Sequence, residues 1–254
     1  MIRIYLFTYA GDEDEAIACV KCAAAALPEA VITVVDDGAA PVSEHARKEL
    51  LAIGTHYRQS SFPRNGNLRG PECVRGIIST LAGNAADDDI VVKIDSDTAL
   101  LSGDWVRSMQ GSGLDLRASS YVAPQQPTEP YAYGLCYALS GRAAKLAAEL
   151  LKYSPIPPLA PEDLTIFRAV EETSGTEQIQ LYESWTPHHR EGKWTAWNWL
   201  SIAVTPEKYA GFHVVTFGNP RPAHIPKSER ARAMNELFHY RFGSAVEESN
   251  CTKS

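Results

Sequence analysis

The run Ile90-Val91-Val92-Lys93-Ile94 constrains the fold of this chain most; it is entered from Asp87-Asp88-Asp89 and left through Asp95-Ser96-Asp97. It is short and rich in β-branched residues, which is the pattern of a buried parallel strand. Arg3–Thr8 and Ala30–Val35 have the same character, and between them lies an acidic helix start, Asp12–Glu15, opening the alanine-rich stretch Glu15–Leu27. Strands alternating with helices imply right-handed crossovers and a mainly parallel sheet. Further helices are expected at Glu44–Ile53 and Glu72–Leu81, with a short strand at His56-Tyr57-Arg58.

The second half is less regular. Leu116–Ala123 and Tyr133–Leu139 read as strands, Gly141–Tyr153 as a helix, and Pro161-Glu162-Asp163 as the start of a helix over Leu164–Val170. Proline followed by carboxylates suits a first helical turn. A last strand is expected at Phe212–Phe217 and a helix at Ser228–Phe242, before a polar tail. The expected organisation is a single α/β domain over residues 1–242, with residues 243–254 as a polar tail.

Of the 254 residues, 44% are hydrophobic, enough for a sizeable core. The formal net charge of −7 argues against a nucleic-acid partner. No apolar stretch approaches the roughly 20 residues that span a bilayer, and Met1–Ala10 reads as a first strand, not a signal peptide. The Cys19-x-x-Cys22 spacing lies inside a helical stretch without a second pair to complete a zinc site, so ordinary buried cysteines are expected. The expected setting is cytoplasmic.

Asp95 and Asp97, spaced i, i+2, repel unless a cation or proton intervenes, and a hard divalent metal carrying phosphate oxygens is the obvious cation. The bland alternative is a turn in which Asp97 caps the next element. Ligands of open α/β sheets bind beyond the carboxyl ends of strands. Thr8-Tyr9, Asp36-Asp37, Asp95-Ser96-Asp97 and the loop after Phe217 all fall at such ends.

In that order and spacing the chain resembles a nucleotide-diphospho-sugar glycosyltransferase of the GT-A fold, closest to the inverting family 2. The resemblance covers about residues 1–225 and rests on Arg3–Gly11, Val35-Asp36-Asp37-Gly38, Asn65–Gly70, Asp95-Ser96-Asp97, Tyr133–Ser140 and Pro161-Glu162-Asp163. It implies a GT-A (Rossmann-like), mainly parallel central sheet flanked by helices. It also implies Mn²⁺ or Mg²⁺ as cofactor, a nucleotide-diphosphate sugar (UDP-sugar by default) as donor, and a carbohydrate or other hydroxyl as acceptor.

At matching positions the resemblance places Asp95 and Ser96 near the ribose and diphosphate, Asp95 and Asp97 on the metal, and Thr8, Tyr9 and Asp37 on the nucleoside. It makes Asp163 the catalytic base, with Glu162 the less favoured choice. Arg69 and Arg75 are base or phosphate neighbours or else surface arginines; Arg221 suits a phosphate. Related transferases often carry a histidine late in the chain as a third metal ligand. Val214–Gly218 has none, so His224 is the candidate, and His213 reads as structural. The tryptophans of Tyr182–Leu200 divide, in expectation, into packed Trp197 and Trp199 and an acceptor-side Trp194. Two other readings stay open: a catalytically silent nucleotide- or sugar-binding module, and a nucleotidyltransferase. The latter is disfavoured by the acidic segment after the first strand, Asp12-Glu13.

Overall fold

A computed structural model of the chain describes residues 1–65, 68–121, 129–182, 195–196, 205–218 and 227–251. The apolar runs form its central strands: β1 (Ile2–Thr8), β2 (Val31–Asp36), β3 (His56–Gln59) and β4 (Ile90–Asp95). Helices α1 (Glu13–Ala26), α2 (Glu44–Ala52) and α3 (Pro71–Ala82) connect them. After β4 come β5 (Thr98–Leu100), the short α4 (Asp104–Arg107), β6 (Leu116–Tyr121) and β7 (Tyr131–Ser140). Next are α5 (Gly141–Tyr153), α6 (Glu162–Ser174) and β8 (Ile179–Tyr182). The chain closes with β9 (Thr195–Ala196), β10 (Val214–Thr216) and α7 (Lys227–Cys251).

The main sheet has seven strands in the order β3-β2-β1-β4-β7-β6-β8. β1 is parallel to β2 and β4, and β2 is parallel to β3, whereas β7 is antiparallel to both β4 and β6. Register aligns the strand ends: Thr8 lies opposite Asp36, and Phe7 opposite Asp95. Because β7 runs the other way, its beginning at Tyr131–Leu135 borders the same edge as the end of β4. This is the sheet the sequence implies, mainly parallel with helices on both faces.

Side-chain alternation splits the core in two. Ile4, Leu6, Val92 and Ile94 pack on the face covered by α1 and α7. Tyr5, Phe7 and Val91 pack on the face covered by α3, α5 and α6. Successive strand residues point to opposite faces, so a strand covered on both sides reads as an unbroken apolar run. Helix α5 has the bounds its periodicity predicts; Ser140 accepts from the Ala143 amide at 3.0 Å and caps it.

Beyond β5, α4 and β9, which were not anticipated from sequence, three further elements depart from expectation. The late strand is shorter than Phe212–Phe217 and does not join the main sheet: β10 pairs with β5 and β9 in a separate three-stranded sheet. The strand β8 has only half-buried residues and no alternating pattern, which hid it from periodicity. Helix α7 continues past Phe242 to Cys251; Ala245, Glu247 and Glu248 are good helix formers even where polarity suggests a tail. Among the described residues no helix is long and apolar enough to cross a membrane.

Candidate active site

The site lies at the edge where β1, β2 and β4 end and β7, α6 and α7 begin. Val91, Lys93 and Asp95 share one face of β4 by strand alternation. The Lys93 side chain is 1% exposed, and its Nζ lies 2.7 Å from Asp95 Oδ1 and 2.8 Å from Glu162 Oε1. It also donates to the carbonyl of Gly134. Burial by itself would lower the Lys93 pKa, but Asp95 and Glu162 together hold it above the ordinary lysine value. Burial pushes Glu162 upward against the pull of Lys93.

Asp163 stands beside this cluster. Its Oδ1 accepts from the Leu164 amide at 2.8 Å and its Oδ2 from the Gly134 amide at 3.1 Å. Burial raises its pKa, and these two amide bonds and Lys93 oppose the rise. A Cβ on residue 134 would fall 2.8 Å from Asp163 Oδ2 and 2.9 Å from its Cβ, so the glycine makes room for the carboxylate. Gly134 therefore joins the two acidic positions: its carbonyl holds Lys93 and its amide holds Asp163.

Asp97 is not on the strand with Asp95. It occupies the two-residue turn between β4 and β5, so strand alternation does not set its direction. The turn is fixed by the Phe217 amide, which donates to the Asp97 carbonyl at 2.7 Å. The carboxylate faces Arg230 Nη1 at 3.8 Å, and Arg230 Nε lies 3.0 Å from Glu15 Oε1. Burial and the neighbouring Asp95 push the Asp97 carboxyl up to about 6; burial likewise pushes Glu15 up to about 8. A Cβ on residue 218 would collide with the Asp97 carboxylate.

The third group of contacts gathers around Asp12. It accepts from Ser96 Oγ at 2.9 Å and from Lys227, and Arg64 lies 3.8 Å away. Lys227 also donates to the Tyr9 hydroxyl at 2.9 Å. The Arg64 guanidinium lies 3.7 Å from the centre of the Tyr9 ring, within cation–π range. Thr8 and Asp37 line a narrow cleft with Phe7, Val35, Phe62 and Arg64.

Thr8, Tyr9, Asp37, Asp95, Ser96, Asp97 and Asp163 are thus brought to one edge. Arg69 pairs through its backbone with Pro161 and so neighbours Glu162-Asp163. Arg75 does not reach the site: it donates to the carbonyls of Leu151 and Ser154, tying α3 to the end of α5. His213 lies at the far end of β10, its carbonyl accepting from Leu101 and Ser102. Arg221, His224 and Trp185, Trp194, Trp197 and Trp199 lie outside the described residues.

Among the described residues no three His, Cys, Asp or Glu side chains converge as a metal cluster. The donor chemistry nevertheless fits a hard divalent cation: Asp95 at the end of β4 and Asp97 in the turn that follows are oxygen donors, and burial and the Asp95 charge hold the Asp97 carboxyl up in pKa. Lys93, Asp12, Arg64, Lys227 and Arg230 were not singled out as site groups from sequence, and Glu162 only as the less favoured base. Lys93 carried a signal, as a lone charge in a buried strand two residues before Asp95. Lys227 and Arg230 carried none, since a basic first turn on α7 reads as a solvated face.

No protein-family model matches this sequence, and no curated protein does. Solved structures do. The galactosyltransferase LgtC in complex with donor and acceptor sugar analogues is 15% identical, with a TM-score of 0.55 over 95% of this chain and 96% of that one. Glucosyl-3-phosphoglycerate synthase from Mycobacterium tuberculosis in complex with Mn²⁺, UDP-glucose and phosphoglyceric acid is 13% identical, with a TM-score of 0.50 over 96% and 80% of the two chains. The bifunctional glycosyltransferase WbbM is 10% identical, with a TM-score of 0.50 over 97% of this chain and 51% of that one. The chain has the GT-A fold of nucleotide-sugar glycosyltransferases.

Proposed function

We propose that this chain is a metal-dependent glycosyltransferase that moves a sugar from a nucleotide-diphosphate donor to an acceptor hydroxyl, with inversion and with Asp163 as base. The observation that carries the reading is the carboxylate pair Asp95 and Glu162 on one buried lysine, with Asp163 fixed beside them at the strand-end edge. A UDP-sugar is the first donor to try, given the UDP-glucose and Mn²⁺ bound by the mycobacterial synthase of the same fold. A cytoplasmic setting belongs to the reading; the described cysteines Cys19, Cys22, Cys73 and Cys136 are buried free thiols, as a reducing compartment leaves them.

In this reading Asp95 and Asp97 hold Mn²⁺ or Mg²⁺, with His224 as a third ligand. The metal, when bound, neutralises charge building on the leaving diphosphate. Tyr9, Thr8 and Asp37 contact the nucleoside, Ser96 lies towards the diphosphate, and Arg221 and Arg69 are the arginines offered to donor oxygens. Asp163 takes the proton of the acceptor hydroxyl as it attacks the anomeric carbon from the side opposite the nucleotide. Its two amide bonds aim the carboxylate and oppose the rise that burial causes; the role requires the ionised form.

The test is calorimetric titration of UDP with and without Mn²⁺, followed by a UDP-release assay over a panel of UDP-sugars and hydroxyl acceptors. Asp97→Ala is expected to abolish the Mn²⁺-dependent part of UDP binding. Asp163→Asn is expected to keep UDP binding and lose about 10²- to 10⁴-fold in transfer rate. Near-normal transfer by Asp163→Asn would remove the base assignment, and retention of anomeric configuration in the product would remove inversion. Metal-dependent binding without turnover on any donor would leave a binding module.

A further inference from the structure

Lys93 is a buried ammonium in a central strand, an arrangement seen almost only where the charge is fully partnered. Lys93 Nζ donates a hydrogen bond to the Gly134 carbonyl and is ion-paired with two carboxylates, Asp95 Oδ1 at 2.7 Å and Glu162 Oε1 at 2.8 Å. They come from three elements, β4, α6 and β7. Each is, or directly adjoins, a group with a proposed role. Asp95 is the donor-side carboxylate, Glu162 precedes Asp163 at the start of α6, and the amide of Gly134 holds Asp163 Oδ2.

Here a single ammonium sets the distance between the end of β4 and the first turn of α6, across the gap where donor and acceptor would meet. We infer that Lys93 is a positioning residue that couples the donor-side carboxylate Asp95 to the base Asp163. The coupling runs through Glu162 and through both sides of Gly134. The inference rests on the transferase reading above. The buried ring of Tyr137 has its centre 5.8 Å from Nζ.

Lys93→Met alone leaves Glu162 buried without a partner and is expected to fold poorly. Lys93→Met combined with Glu162→Gln removes one charge of each sign and keeps the volume, so it is the informative variant. In the folded double variant, amide exchange at Gly134 and Leu164 should rise about tenfold or more, the scale of a lost bond to a charged group. Exchange at the paired residues of β1 and β2 should be unchanged. UDP affinity in Mn²⁺ and kcat should both fall by about tenfold or more on the same scale.

A residue that only stabilises the fold would lower the melting temperature and leave exchange at Gly134 and Leu164, UDP affinity and kcat as in the wild type. That result overturns the inference, as does raised exchange with unchanged affinity and kcat. If the wild type itself shows no Mn²⁺-dependent UDP binding, the transferase reading fails. The exchange measurement, which needs no ligand, still decides whether Lys93 places Asp163.

Discussion

Gly134→Ala isolates the placement of Asp163 from its chemistry, because it leaves every ionisable group in the chain. The added Cβ would sit 2.8 Å from Asp163 Oδ2 and 2.9 Å from Asp163 Cβ. Carbon contacts settle at about 3.5–4.0 Å, so the start of α6 or the Asp163 side chain must move by roughly 0.5–1 Å. That shift also strains the 3.1 Å bond from the Gly134 amide. Misplacing a reacting group by about 1 Å can cost on the order of 10²-fold in rate, and kcat is expected to fall by about that factor. The overpacking itself costs about 1–3 kcal/mol, or roughly 2–4 °C of melting temperature per kcal/mol for a chain of this size. UDP-release rates at saturating donor, UDP titration in Mn²⁺ and a circular-dichroism melt separate the two effects. UDP affinity should stay within a few-fold of wild type. A folded variant with kcat within about threefold of wild type would refute the role given to Asp163 placement, for which the expected loss is about 10²-fold.

Asp97→Asn tests the electrostatics of the proposed metal site. Burial and Asp95 raise the Asp97 carboxyl from 3.8 to about 6. The native state therefore binds a proton that the unfolded state has lost, and metal-free stability falls as pH rises through that window. Metal-free Asp97→Asn should melt with a shallower decline between about pH 4 and pH 6 than the wild type, while Mn²⁺ binding to the wild type should strengthen above about pH 6 as the competing proton leaves. His224→Ala should weaken Mn²⁺-dependent UDP binding by about 10- to 100-fold if it is the third ligand, by analogy with lost metal-shell groups; unchanged affinity would remove it from the metal. Gly141→Ala probes the fold away from the site, since its Cβ would overlap the Ala86 carbonyl at the start of α5. A loss of about 2–3 kcal/mol in urea unfolding is expected, with UDP affinity retained; a wild-type midpoint would contradict the packing there.

Local sequence by itself determined the elements and the fold class. The short apolar runs became β1, β2 and β4, and α5 kept the bounds expected from sequence. Such signals survive because they depend on neighbours a few residues away. The placement of Thr8, Asp37 and Asp95 at one edge was legible too, because strand ends in a parallel sheet gather on one side; Asp163, at a helix start, was legible only through the family resemblance. Tertiary structure alone decided the partners. Lys227 meets Asp12 across 215 positions and Lys93 meets Gly134 across 41, and no local periodicity encodes such pairs. It also moved Asp97 off the strand into a turn held by Phe217, and gave Lys93 one carbonyl and two carboxylate partners from three elements. A lone ammonium in a buried strand must find acceptors once the fold removes the solvent, and only the tertiary structure decides which groups of the candidate site those are.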